Sequence, residues 1–333
     1  MPTAATADSF ETSARLCEAV DILRRGGVVG IPTETVYGLG ADAENPAAVR
    51  RVFAIKGRPA NHPVIVHLHD VAALAEWSFR PPRAAYLLAE RFWPGPLTLV
   101  LPRSRRVPDA VTGGQDTVAL RAPDHPLTQR LLELFGGGIA APSANRFGRV
   151  SPTTAQHVRD DLGDEVDLVL DGGPCAVGLE STIVALVSRR PLLLRPGAIG
   201  PEALSHVLGQ PIDAPAPRGN AIRAPGALAS HYAPRTRLEL VPADALPDRL
   251  HALLGRGERP AVLGIGAPPK LSDALSFAVL PGDAAGYGAG LYAALRALDA
   301  AQPDRILVVA PPSAPDWLAV NDRLGRAARG SAG

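Results

Sequence analysis

Short apolar runs alternate with amphipathic stretches along most of the chain. Residues 28–31, 63–68, 97–101, 117–121, 139–141, 168–170, 181–187 and 192–195 are rich in Val, Ile and Leu and are bounded by Gly, Pro or polar residues. Such runs predict buried strands. Between them the spacing changes to that of a helix. Over residues 14–25, Leu16, Val20 and Leu23 share one face, and over 46–55 Val49, Val52 and Phe53 do the same. Residues 82–92 and 126–135 open with Pro, whose fixed φ suits a first helical turn. The alternation predicts a mixed α/β or α+β domain that ends near Gly209.

"GQPIDAPAPRGNAIRAPGALASHYAPRT" follows. Its Pro, Gly and Ala content predicts an ordered linker over 209–236, and long ordered loops are often functional. From Leu238 a second alternation begins: "LELV", a helix over 248–254, "PAVLGIG", "SFAVL", a helix near 290–301, and "RILVVAPP". It predicts a small open sheet with helices. The expected division is 1–208, 209–236 and 237–333. No internal repeat occurs.

With 46% hydrophobic and 20% charged residues, the composition is that of a globular protein. A net charge of +1 supplies no global field toward nucleic acid or membrane, so an anion site must be local. Cys17 and Cys175 form no CxxC and no Cys/His cluster, which argues against structural zinc and for two buried free thiols. The first twenty residues lack the basic and apolar regions of a signal peptide, and no apolar run approaches the roughly 18 residues of a spanning helix. A cytoplasmic location with no membrane partner is expected.

Several short stretches carry polar groups suited to a small charged ligand. In "IKGRP", Gly57 lets the chain turn between Lys56 and Arg58 and Pro59 stops it. Two cations so confined suit an anion, most simply a phosphate, although a solvated helix end carries the same residues. In "AAPSANRFGRVSPT", Ser143 and Asn145 alternate among small residues, and Ser151-Pro152-Thr153 resembles a helix N-cap; a plain turn before a capped helix is the alternative. "TVALRAP" sets Arg121 at the end of a buried strand, where it needs a carboxylate from the protein or from a substrate. "GLESTIVAL" and "LLLRPG" place Ser181 and Arg195 at strand edges. His67 and His69 share a strand face without a third ligand, which favours lining side chains over a metal site. "PRSRRVPD" reads as a solvated loop, and "GYGAGLY" lacks the spacing and βαβ context of a dinucleotide fingerprint. No Walker A, HExxH or GxSxG sequence occurs. The residues therefore favour binding and orienting charged reactants over covalent catalysis.

"PTETVYGLGAD", "KGRP" with "PVIVHL", "WPGPLTLVL", "TVALRAP", "APSANRFGRVSPT", "GLESTIV" and "LLRPG" occur in one order over about residues 15–200. Together they closely resemble the YrdC-like threonylcarbamoyl-AMP synthase family, and the remainder, through "PGALASHYAP", resembles its long two-domain form. The resemblance implies a twisted mixed sheet with a concave basic face and a smaller Rossmann-like C-terminal α/β domain. It implies synthesis of L-threonylcarbamoyladenylate from L-threonine, bicarbonate or CO2, and ATP, with release of pyrophosphate. This is the first step of tRNA threonylcarbamoyladenosine modification.

The family's Lys-Arg-Ser-Asn set falls on Lys56, Arg58, Ser143 and Asn145. ATP contacts implied by the resemblance are Arg58, His62, Thr117, Ser143, Ser151, Arg195 and Tyr232, and threonine contacts are Thr35, His67, Arg121, Ala141 and Ser181. His62 stands where relatives often have Asn, and Leu228 and Ser230 stand where some have basic residues. Mg2+ is expected through the ATP phosphates. Proteins that pass the threonylcarbamoyl group to tRNA are the implied partners, with weak RNA binding as an added role. The competing reading is a double-stranded-RNA or tRNA-binding module without adenylate synthesis, which predicts strong salt dependence and no threonine-dependent pyrophosphate release. A carbamoyl-adenylate domain of hydrogenase maturation would bring acylphosphatase and zinc-finger modules, for which this chain has neither length nor cysteines. A nucleotide-sensing regulator acting through the C-terminal domain is a third alternative.

Overall fold

A computed structural model describes residues 4–213, 222–226, 231–266 and 276–331, with side chains from residue 12 onward. Leu228 and Ser230, and much of the linker, lie outside the described residues.

Nine strands form the larger sheet: β1 (Val29–Ile31), β2 (Gly38–Asp42), β3 (Ile65–His67), β4 (Leu97–Pro102), β5 (Thr117–Arg121), β6 (Ile139–Ala140), β7 (Leu168–Val169), β8 (Thr182–Ala185) and β9 (Leu192–Arg195). Their order is β7-β1-β2-β6-β3-β5-β4-β8-β9, with parallel and antiparallel neighbours mixed. The parallel register of β3 on β5 sets His67 beside Arg121 at the strand ends. The predicted strands are found: β5 and β9 keep the expected bounds, β4 runs one residue longer, and the others are shortened at their ends. β2 is the exception, because a stretch with glycines at 38 and 40 reads as a turn. It is a strand because it pairs antiparallel with both β1 and β6, and glycine suits it because a Cβ at Gly40 would lie 2.9 Å from Ile139 Cγ2.

One face of this sheet is covered by the helices Pro46–Lys56 and Arg83–Phe92, over a core that includes Val66, Trp77, Leu99 and Leu120. The helices Ala4–Arg24 and Pro126–Phe135 bring Leu16, Leu23, Leu131 and Leu132 against Ile31 and Ile139. Asn45 caps Pro46–Lys56 by accepting from the amides of Ala47 and Ala48. Ser151 is not a helix cap as its sequence suggests. Thr154 caps Ala155–Leu162, which frees the Ser151 hydroxyl for a longer-range bond. Of the two cysteines, Cys175 is buried and Cys17 is exposed, contrary to the expectation for the latter.

The smaller sheet holds β10 (Leu238–Val241), β11 (Pro260–Ile265), β12 (Phe277–Leu280) and β13 (Arg305–Val309), all parallel in the order β10-β13-β11-β12. "GYGAGLY" lies inside the helix Ala284–Ala300 and forms no phosphate-binding turn. Its small residues let that helix press on the larger unit, where Gly288 faces Leu179. The helix Leu318–Gly330 completes this layer. Val36, Val150 and Leu179 of the larger unit share one apolar cluster with Tyr287, Leu291, Tyr292 and Leu324 of the smaller. Arg296 adds a polar tie, pairing with Asp161 at 2.5 Å and donating to the carbonyl of Ser151 at 3.3 Å.

Gly178 sits at this contact with φ +71°, and a Cβ there would fall 2.5 Å from the carbonyl oxygen of Ala289. Gly178→Ala is therefore expected to cost about 1–3 kcal/mol. Urea unfolding measures it, and an unchanged midpoint would contradict the close packing at this point.

Candidate functional site

The ends of β3, β5 and β9, the residues before β8, and the linker converge on one cavity. Thr35, His67, Arg121, Ala141 and Ser181, the whole expected threonine set, line it together with Arg58, Ser143, Arg195 and Tyr232. Thr33, Glu180, Pro225, Gly226 and His231 also line it and were not anticipated. Thr33, Glu180 and His231 are close in the chain to anticipated residues. The hydroxyl and aromatic runs "PTETVYG", "GLEST" and "HYAP" were the available signal.

Arg121 carries the answer to the question of its partner. Its Nη2 lies 2.7 Å from Glu34 Oε1, an ion pair without hydrogen-bond alignment. Its Nη1 donates to Thr35 Oγ1 at 2.8 Å and its Nε to the carbonyl of Gly95 at 3.2 Å. A guanidinium has five N–H groups, so one remains undonated on Nη1 and both on Nη2. Beside it the hydroxyls of Thr33 and Thr35 are 2.9 Å apart, and those of Thr98 and Ser181 are 2.7 Å apart.

The other cations are held mainly by neutral oxygens. Gly57, in the left-handed conformation at φ +62°, turns the chain between Lys56 and Arg58. Arg58 Nη2 donates to the carbonyl of Pro63 at 2.7 Å, while its Nε has no partner. Its guanidinium carbon lies 5.7 Å from the Phe53 ring centre and 6.0 Å from that of Phe147. Burial, against the pull of Tyr232, lowers its pKa to about 10, so it is charged at neutral pH. Arg195 donates from Nε to the carbonyl of Ser181, from Nη2 to Ser181 Oγ, and from Nη1 to the carbonyl of Pro225, at 3.0, 3.1 and 2.9 Å.

Lys56 differs from the expected phosphate clamp. Its ammonium is buried and does not line the cavity. It donates to the carbonyl of Ser143 at 2.5 Å and to that of Asn145, so it pins the loop that carries both residues. Burial and then the nearby Arg58 push its pKa well down. Asn145 turns its amide toward the carbonyls of Arg146 and Arg149, both at 2.8 Å. His62, Thr117 and Ser151 also stand outside the lining. His62 packs edge-on against Phe147 at 5.6 Å. Thr117 lies at the opposite end of β5 from Arg121, across from Pro102. Ser151 donates to Glu180 Oε1 at 2.6 Å and reaches the cavity wall through that carboxylate.

Three arginines and one carboxylate, Glu180, line a space whose envelope is about 530 Å³. The arrangement suits anions with hydroxyl or amine substituents. Arg58 Nε, His67 Nδ1, His231 Nδ1 and the Tyr232 hydroxyl are buried lining atoms without a protein partner. Buried polar atoms are usually paired, so these four point to a polar ligand. Among the described residues no group of three or more His, Cys, Asp or Glu could hold a metal ion.

His67 and His231 have pKa values lowered from 6.5 to about 3, in both cases chiefly by burial. Arg121 adds to the effect at His67; at His231 the Glu180 charge opposes it. Both rings are neutral at pH 7. The folded values lie below the unfolded one, so the neutral rings confer their full stability above pH 6.5 and lose it as pH falls toward 3. The melting temperature should therefore drop between about pH 7 and pH 5, and His67→Gln should make the drop smaller. Equal drops in the two proteins would contradict a buried neutral His67.

Residues 21–197 match the Sua5/YciO/YrdC family model, described as telomere recombination. Residues 199–329 match a second model, described as the threonylcarbamoyl-AMP synthase C-terminal domain. The chain is 40% identical to the threonylcarbamoyl-AMP synthase of Pyrococcus abyssi, over 93% of this chain and 92% of the relative. It is 39% identical to that of Bacillus subtilis, over 95% and 93%. The crystal structure of P. abyssi Sua5 complexed with L-threonine superposes with a TM-score of 0.88 at 38% identity, covering 95% of this chain and 94% of that one. With both models matched in series and relatives aligned over nearly its full length, the chain belongs to the Sua5/YciO/YrdC family, in the form that carries the Sua5 C-terminal domain.

Proposed function

We propose that this protein is a threonylcarbamoyl-AMP synthase, converting L-threonine, bicarbonate or CO2, and ATP to L-threonylcarbamoyladenylate and pyrophosphate. The observation that carries the reading is the meeting of three buried arginines with two hydroxyl pairs at one cavity. Relatives of the same two-domain form bear that activity as their name.

In this reading Arg121 takes the threonine carboxylate on N–H groups that no protein acceptor uses, with Thr35, His67, Ala141 and Ser181 around the amino acid. The threonine amine attacks CO2 and loses a proton, giving a carbamate. A carbamate oxygen then attacks the α-phosphorus of ATP, and the bond to pyrophosphate breaks. No protein atom becomes covalently attached. Arg58 and Arg195 stabilise charge on the phosphates, and Ser143 adds a hydroxyl. Lys56, Asn145 and Ser151 contribute through the walls they fix, while His62 and Thr117 would reach the nucleotide only with a change of position. Holding the reactants in line can supply about 7–11 kcal/mol of the barrier in a favourable case. Mg2+ would be held by the ATP phosphates rather than by a cluster of protein ligands, none of which occurs among the described residues, and would offset phosphate charge.

The division into a catalytic domain (1–208), a lid (209–236) and a smaller domain (237–333) follows from the same reading. Pro225, Gly226, His231 and Tyr232 of the linker line the cavity, and the space open to the centre of a water molecule is only about 50 Å³. A nucleotide needs far more, so the linker opens to admit ATP and closes to keep water from the labile carbamate. The product goes to proteins that transfer the threonylcarbamoyl group to tRNA, in the cytoplasm. Among the described residues no helix is long and apolar enough to cross a membrane. A primary RNA-binding role is disfavoured because Arg58, Arg121 and Arg195 are at most 9% exposed and cannot face a duplex.

Pyrophosphate release should require both L-threonine and bicarbonate and be much slower with serine; release without threonine refutes the reading. Tyr232→Ala should lower adenylate formed more than ATP consumed, because water then reaches the α-phosphorus and the newly formed mixed anhydride, spending ATP without leaving adenylate. Equal losses would argue against the lid.

A further inference from the structure

The smaller unit reaches the cavity through one buried arginine. Arg323, on the helix Leu318–Gly330, is fully buried. Its Nε donates to Glu180 Oε2 at 2.7 Å and its Nη2 to the Glu180 carbonyl at 3.2 Å. Tyr292, on the helix Ala284–Ala300, donates to the same Oε2 at 2.9 Å. The other carboxylate oxygen accepts from Ser151 at 2.6 Å. Burial opposes ionisation of Glu180, but Arg323, Arg195 and the Ser151 hydroxyl outweigh it and lower its pKa to about 2. The carboxylate is therefore a fixed charge at neutral pH.

Two features separate this arrangement from a simple tie between domains. Arg323 grips the side chain and the main chain of Glu180 together, which sets the direction in which the chain enters Ser181. Ser181 Oγ in turn bonds Thr98 and accepts from Arg195. Arg323 also lies 5.3 Å from the centre of the Tyr232 ring, on which Tyr292 stacks at 5.9 Å and 26°. Tyr232 has φ +63°, a left-handed backbone that a bulky side chain adopts only when its surroundings impose it. A buried ion pair is weak evidence for stability alone, since an apolar pair fills such a space as well.

We propose that Arg323 is a positioning residue of the reaction: acting through Glu180 and directly on the Tyr232 ring, it fixes Glu180, Ser181 and Tyr232 in the cavity wall and so couples ATP cleavage to adenylate formation. The inference rests on the reading given under Proposed function. A role of this kind makes the smaller unit part of the working site.

The test compares adenylate formed with ATP consumed in the full-length chain. Arg323→Lys keeps the charge but cannot bridge side chain and main chain, and should lower adenylate per ATP at least about threefold. Tyr292→Phe, which removes one hydroxyl from the same oxygen, should lower it in the same direction by less. Adding Glu180→Gln to Arg323→Lys should be no worse than the more damaging single change, as expected for residues acting in series. A merely structural role would reduce the amount of active enzyme and leave adenylate per ATP unchanged. That unchanged ratio in both folded variants overturns the inference while the synthase reading stands. If Arg323→Lys does not fold, the ratio for Tyr292→Phe decides. If the unaltered protein forms no adenylate from all three substrates, the reading and the inference fall together.

Discussion

The site depends on burying cations without neutralising them. Lys56, Arg58 and Arg195 have their hydrogen bonds met largely by main-chain carbonyls, those of Ser143, Asn145, Pro63, Ser181 and Pro225. Carbonyl dipoles offset part of the loss of water without supplying a counter-charge. The shifts agree with this: burial lowers the pKa of all three. Such an arrangement is unfavourable by itself and becomes favourable when anions enter. Arg121 is treated differently, because Glu34 balances its charge and leaves it directional N–H groups. One region therefore offers unbalanced positive potential, suited to phosphates. The neighbouring one offers a balanced fork, suited to a single carboxylate.

Much of this was legible in the sequence. An arginine at the end of an apolar strand must find partners: Arg121 meets the Glu34 carboxylate, and Arg195 the oxygens of Ser181 and Pro225. The hydroxyl-rich turns around Thr35 and Ser181 also fall where expected. The failures have a common cause. Local spacing brings Lys56 and Arg58 together but does not say which way each points, and Lys56 turns to the carbonyls of a distant loop. Thr117, which the family resemblance implies as a nucleotide contact, lies at the end of β5 away from Arg121. Glu180 passed unnoticed because its partner is 143 residues away and on another domain. Hydrophobic periodicity likewise misses a strand such as β2, where side chains of β1 and of β6 and the residue after it, Ile31, Ile139 and Ala141, fill the space beside the glycines.

The linker is more than a connection. His231 and Tyr232 continue a line of rings that starts at His62 and Phe147 and ends at Tyr292 of the smaller unit. Movement of the linker must break contacts at both ends of this line. Opening is thereby tied to both sheets, although each sheet has its own hydrogen-bond ladder and its own helices.

The apolar cluster common to the two units has a practical consequence for anyone who would cut this protein into modules. A fragment ending before β10 would turn Val36, Val150 and Leu179 outward. That oily scar would invite clumping in the test tube, so a dead fragment would say little about which half holds the chemistry.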